Sequence, residues 1–204
     1  MTNSIKKYLP YLKRLLILVG VLFLAWIIIN WPYFSKQIGY WFHTRSTETF
    51  TNQPSNEAEK GEPNLLRIPS LDINAPIQYV DKVNEEIFQE ALQNGIVHYP
   101  GTAEIGQLGN PFLFGHSSDF AGAEGNYKTV FALLPKIENG AEILVSNKDG
   151  VVYRYQVFDQ FVAKKTDLFV LDQRDYKEKL LTLQTSYPVG TALKRYIVVA
   201  RLKE

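Results

Sequence analysis

Acyl transfer from a peptide needs a nucleophile, a proton carrier and a donor for the developing oxyanion. Serine, histidine and arginine could supply these in the present chain. The serine that stands out is Ser186, within the run Thr182-Leu-Gln-Thr-Ser-Tyr-Pro-Val-Gly-Thr191. It ends an apolar stretch and is followed by Tyr187-Pro188, so a strand is expected to stop there and present the side chain at a rim. Taken singly, such a serine reads as an ordinary loop residue. His116 follows Gly115 behind the apolar Pro111-Phe-Leu-Phe114. Its imidazole, with an ordinary pKa of about 6.5, can hold or release a proton near neutral pH, but singly it reads equally as a histidine satisfied by loop carbonyls. Arg195 brings an always-charged guanidinium. Alternation puts it on one face with Ile197, Val199 and Arg201, where a solvent-facing arginine is the alternative.

Composition narrows what surrounds these residues. The chain has 204 residues, enough for one domain of ordinary size plus an appendage. Its net charge of +1 sets aside a nucleic-acid partner. The absence of cysteine excludes disulfides, thiolate metal sites and thiol redox chemistry. His43, His98 and His116 lack the spacing of a metal-ligand cluster. Glu104, Asp119, Glu124 and Asp167 fall in expected loops and read as solvated surface rather than a calcium site. No cofactor or metal is therefore expected.

The segment Leu15–Ile29 is uncharged, and the count from Leu15 to Phe34 reaches 20 residues, about the length that crosses a bilayer core. Lys6, Lys7, Lys13 and Arg14 precede it, while Lys36 and Arg45 are the nearest basic residues after it. That asymmetry predicts a cytoplasmic N-terminus over 1–14, a signal-anchor helix over 15–34 and an extracellular remainder. A cleaved signal peptide would want small residues after its apolar core. Asn30-Trp-Pro-Tyr-Phe34 offers bulky ones instead. Residues 35–63 form the expected juxtamembrane stalk, polar and rich in Ser, Thr, Asn, Glu and Pro from Ser46 to Pro63. His43 then lies next to the membrane exit.

The remainder, 64–204, breaks into short β-type runs. Expected strands are Leu65–Ile68, Ile77–Val80, Pro111–Phe114, Ala141–Val145, Val151–Val157, Leu180–Leu183 and Tyr196–Ala200, with Phe161 and Val162 continuing past Gln160. Tyr153, Tyr155 and Val157 share one face with Val151 by alternation. One helix is expected over Glu85–Gln93, capped by Asn84 and ended by Gly95, with a further helical turn near Arg174–Lys179. Many short strands and no alternation of strands with helices argue for an antiparallel barrel or sandwich.

Taken together, Thr182–Thr191 with Arg195 resembles the active-site strand of the sortases, which cut a sorting peptide and join it to an amine. Their pattern reads roughly T-L-x-T-C, then a Pro, a Gly-Thr and an Arg on the next strand. Every element is here except one: Ser186 stands where the family has its nucleophilic cysteine. Ala91-Leu-Gln-Asn-Gly95, His98-Tyr-Pro-Gly-Thr102 and Gly109-Asn110 are similar to the family's approach to its histidine, which His116 matches; Ser117 follows it where many sortases carry Arg. The resemblance covers about Leu65 to Leu202. It implies a mostly all-β, closed, roughly eight-stranded barrel with one or two short helices, preceded here by the membrane helix. It further implies His116, Ser186 and Arg195 as catalytic residues and Thr185 and Thr191 as shapers of the substrate groove; nothing in the spacing forces His98 near Ser186, and it reads as structural or at the substrate rim. The implied partners are C-terminal LPxTG-like sorting signals of surface proteins and an amine of cell wall or pilin. The implied location is the cell membrane, single-pass, with the barrel outside.

Serine changes the chemistry. A cysteine is a few per cent thiolate at pH 7 and intrinsically very nucleophilic, whereas a serine hydroxyl needs a general base within about 2.6–3.2 Å. Three outcomes follow for this sequence: a serine introduced in place of a natural cysteine, a serine-dependent enzyme with His116 as base, or a sortase-like module that binds sorting peptides or scaffolds surface proteins without cutting them.

Overall fold

The structure, a computed structural model, describes residues 2–29, 31, 34–35, 38, 60–118, 124–173 and 177–203. An N-terminal helix, α1 (Thr2–Ile29), precedes the barrel. Its stretch Tyr11–Ile29 is long and apolar enough to cross a membrane, and none of its most apolar window is buried. Asn30, Pro32 and Tyr33 of the expected anchor, His43 and most of the expected stalk lie outside the described residues.

Eight strands follow: β1 (Leu65–Ile68), β2 (Ile73–Tyr79), β3 (Ile96–His98), β4 (Phe112–Phe114), β5 (Glu142–Ser146), β6 (Val152–Lys164), β7 (Leu180–Tyr187) and β8 (Lys194–Leu202). They close into a barrel in the order β1-β2-β3-β4-β7-β8-β6-β5, as the resemblance implied. The helix α2 (Glu85–Gln93) starts where expected, with Asn84 Oδ1 accepting from the Ile87 N–H at 3.1 Å. It ends differently: Asn94 is its cap, and Gly95 is needed because a Cβ there would lie 2.1 Å from Pro76 O.

Further features depart from the sequence pattern. β3 is only three residues long and wholly buried, too short to show alternation. It pairs in parallel with β2, so β2-α2-β3 is a crossover unit, and β4 pairs in parallel with β7. Of the helical turn expected near Arg174–Lys179, residues 174–176 lie outside the described residues and Lys179 bridges Gly109; a separate 3₁₀ turn is found at Phe169–Leu171. β2 begins four residues before Ile77, directly after the 3₁₀ turn Pro69–Leu71.

Alternation divides the apolar residues between two faces. Leu66, Ile68, Leu113, Tyr155, Leu181, Leu183 and Val198 fill the barrel interior. A second cluster, on the exterior, joins Phe112, Ala163, Val170 and Ile197, with Tyr99 and Phe161 packed on it. Fully burying a Leu or Ile contributes about 1.5–3 kcal/mol, so the interior supplies most of the cohesion. β6 serves both faces through a bulge. Val157 pairs with Ala200 and Asp159 with Val199, leaving Phe158 as the extra residue. Tyr155 and Val157 point inward before the bulge, and the parity shift sends Phe161 and Ala163 outward after it.

Candidate active site

The site is assembled by strand register on the barrel exterior. On β7, Leu181, Leu183 and Thr185 are buried in step, so Thr182, Gln184 and Ser186 take the opposite face. Ser186 is partly exposed and is the penultimate residue of the strand. The cis Tyr187–Pro188 peptide follows, and the ladder stops there because proline has no N–H to donate. The expected halt at the rim thus falls one residue beyond Ser186.

Ser186 and Arg195 are direct cross-strand partners on β7 and β8, so their side chains share a face. On the other side β4 runs parallel to β7, with Phe112 opposite Thr182 and Phe114 opposite Gln184. β4 ends at Phe114, so His116 lies two residues past the end of the strand that runs beside β7. Register thus pairs Ser186 with Arg195 on β7 and β8 and carries the segment of His116 alongside β7, across about 70 positions of sequence from His116 to Ser186.

Backbone contacts hold the histidine segment in that register. Gly115 N–H donates to Gln184 O at 3.1 Å, and the Thr185 hydroxyl donates to Gly115 O at 2.8 Å. Phe131 N–H donates to His116 O at 2.9 Å from the opposite direction. Gly115 has no room for a side chain, since a Cβ would lie 2.9 Å from both Ile96 Cγ2 and Phe131 Cδ2. Above the serine, Gly190 N–H donates to Ser118 Oγ at 2.9 Å, tying the β4 exit to the β7–β8 turn. Ser117 is only 1% exposed, and its Oγ finds no hydrogen-bond partner among the described residues.

The two threonines occupy different places. Thr185 is 2% exposed and faces inward, so what it contributes at this end is the fixed position of the Gly115–His116 backbone. Thr191 is exposed; its hydroxyl donates to Pro188 O at 2.8 Å and its N–H to the same oxygen at 2.9 Å, closing a turn in which Gly190 has φ +86°. The guanidinium of Arg195 folds along this turn, with Nη1 donating to Ala192 O at 3.3 Å and Lys194 O at 3.0 Å. A guanidinium has five donors in all.

His98 is elsewhere. It is buried on β3, opposite Leu113, which is in turn level with Leu183, three residues short of Ser186. Its ring stacks on Tyr79 with centroids 4.9 Å apart, and Nε2 meets Ala103 O at 2.9 Å, which fixes the proton on Nε2 as donor. Behind the site, the interior Tyr196 donates its hydroxyl to Gln160 Oε1 at 2.7 Å. Its pKa is raised, chiefly by burial and then by Tyr187, so it stays neutral and is no base at neutral pH. Among the described residues no group of three or more His, Asp or Glu could hold a metal ion.

With this geometry, the comparisons with known proteins are decisive about kinship. A family model described as the sortase domain matches residues 66–203, more than half of the chain. The chain belongs to the sortase family. No curated protein matches it. Among solved sortases, sortase E from Streptomyces avermitilis is 29% identical over 72% of this chain and 91% of its own, with a TM-score of 0.54. Sortase A from Corynebacterium diphtheriae is 25% identical with a TM-score of 0.57; the match covers 72% of this sortase and 63% of that chain. A Clostridium perfringens sortase D5 transpeptidase, 24% identical over 81% and 94% of the two chains with a TM-score of 0.56, shares the fold. The residues that sequence reasoning missed are Gly115, whose only signal is its place before His116, and Ser118, which carries none.

Proposed function

We propose that this sortase is a membrane-anchored transpeptidase that cleaves a C-terminal LPxTG-like sorting signal and transfers the acyl group to an amine of cell wall or pilin. The observation that supports it best is the pairing of Ser186 with Arg195 on β7 and β8, with His116 just past the end of β4, the strand beside β7. α1 would anchor the chain with its N-terminus in the cytoplasm, following the basic residues before the apolar stretch.

The chemistry divides into two displacements. Ser186 Oγ attacks the scissile carbonyl carbon while His116 takes its proton. The carbonyl oxygen becomes an oxyanion, to which Arg195 donates after swinging from the Ala192 and Lys194 carbonyls. The C–N bond then breaks, and the departing amine receives the proton from His116, leaving an ester on Ser186. In the second displacement His116 removes a proton from the acceptor amine, whose nitrogen attacks the ester carbonyl. The ester C–O bond breaks, Ser186 recovers its proton and a new amide is released.

A second reading has its own support: Arg195 rests on its own turn, and serine has lost the thiolate that the family's cysteine offers. On that reading the barrel binds sorting peptides without cutting them. Turnover of a fluorescent LPxTG peptide by the full-length chain in detergent micelles separates the two. The enzyme reading predicts turnover that Ser186→Ala abolishes; binding without turnover would support the module, and turnover appearing only in Ser186→Cys would point to a disabled enzyme.

A further inference from the structure

One side chain outside the catalytic row joins two loops to the nucleophile's strand. Gln173 lies on the β6–β7 connection. Its Oε1 accepts from Ala103 N–H at 3.2 Å and Asn110 N–H at 3.3 Å, and its Nε2 donates to Asn110 O at 3.0 Å and Leu171 O at 3.4 Å. A primary amide offers two donors and two acceptor lone pairs, so every hydrogen-bonding position of Gln173 is spent on backbone. Asn110 is itself buried, and its Oδ1 accepts from Thr182 Oγ1 at 2.9 Å. Thr182 is on β7, on the same face as Ser186 and four residues before it. Gly109 keeps the passage open, because a Cβ there would lie 2.7 Å from Ala103 Cβ and 3.7 Å from Gln173 Oε1.

The connection held this way crosses the exterior face. It leaves β6 through a turn in which Lys164 N–H donates to Asp167 Oδ2 at 2.8 Å. Val170 then buries itself in the exterior cluster, and Phe169 stacks on Phe161 with centroids 6.0 Å apart. Leu168 and Phe169 nevertheless stay 70% and 61% exposed, apolar side chains presented beside the face that carries Ser186. Val170 alone is a greasy, sliding contact. Gln173 converts it into a fixed one through hydrogen bonds with defined directions.

We propose that Gln173 is a positioning residue for the substrate: through Asn110 and Thr182 it fixes the distance between the apolar strap Leu168–Leu171 and the strand of Ser186, and so sets the width of the groove in which a sorting peptide is held. This rests on the sortase reading for the identity of the peptide, but not for the latch itself. Gln173→Ala leaves buried backbone groups unpaired, and the strap then opens on its own without the barrel opening.

Two measurements on the full-length chain in detergent micelles test it. Hydrogen exchange at the Leu171 and Asp172 amides is expected to rise about tenfold in Gln173→Ala while exchange in the β5–β6 hairpin is unchanged. With a fluorescent LPxTG peptide, in whichever of the wild-type and Ser186→Cys backgrounds turns over, KM is expected to rise about tenfold with kcat nearly constant. Gln173→Asn, which keeps the amide on a shorter stem, should recover part of both effects, and Gln173→Glu, which sets oxygen against the Asn110 and Leu171 carbonyls, should recover neither. Unchanged strap exchange, an equal rise in the β5–β6 hairpin, or a loss that falls on kcat alone would overturn the proposal. Raised strap exchange in a chain that neither binds nor cleaves the peptide in either background would overturn the groove role together with the proposed function, and leave only the latch.

Discussion

The interior and exterior faces of the barrel are built from the same strands and yet obey different rules. Inside, Leu66, Leu113, Leu181, Leu183 and Val198 pack into a largely aliphatic core that also takes in Tyr155, whose hydroxyl accepts from Gly106 N–H at 2.9 Å. Outside, the smaller cluster of Phe112, Ala163, Val170 and Ile197, with Tyr99, Phe114 and Phe161 packed on it, is aromatic-rich and incompletely covered, and Ser186 and Arg195 share its face. The difference shows how the molecule separates stability from chemistry. The interior fixes the register of β4, β7 and β8 to within a residue, since a one-residue slip would turn the leucines out. That same register sets Ser186 and Arg195 side by side on the other face.

Substitutions on the two faces should therefore fail in different ways. Ser186→Ala is expected to remove peptide turnover by roughly 10⁴-fold or more without lowering the thermal midpoint, measured by peptide cleavage alongside calorimetry. Leu183→Ala, at a fully buried interior site, should cost about 2–5 kcal/mol of stability in a denaturant titration. Gly115→Ala falls between the faces: its Cβ would press on Ile96 and Phe131, costing about 1–3 kcal/mol and lowering kcat by moving His116. Phe169→Ala, on the exposed strap, should leave stability within about 1 kcal/mol while raising KM. The pH dependence sharpens the interior side. Burial, the larger cause, pushes the Tyr155 phenol up to about 12, opposed by its bond to Gly106. The stability held by the neutral phenol is full below pH 10, its ordinary value, and is lost as pH rises toward 12. Tyr155→Phe should flatten that alkaline decline in a series of thermal melts.

Much of this was visible in the sequence because it is local. The strand ending at Ser186, the Gly190-Thr191 turn, Arg195 on the next strand and the Asn84 cap each lie within one short segment whose residue types dictate its geometry. What was hidden depends on distant pairing. β3 has three buried residues and no alternation to read, and its parallel crossover with β2 through α2 had no separate signal. The bulge at Phe158 reverses the faces of β6 only because Asp159 pairs with Val199. The inward placement of Thr185 and the hydrogen bonds of Gln173 and Ser118 likewise follow from which loops meet, and composition does not encode that.

The central claim is that an oxygen nucleophile, paired by register with Arg195 and flanked by the segment of His116, accepts the acyl group. Intact-mass and peptide-level mass spectrometry of the full-length chain, quenched in acid after mixing with an LPxTG peptide in the absence of an amine acceptor, tests it directly. The account predicts an acyl adduct on the peptide that contains Ser186, lost in Ser186→Ala and discharged when an amine is added. An unmodified Ser186 peptide throughout, with an adduct formed only by Ser186→Cys, would contradict it.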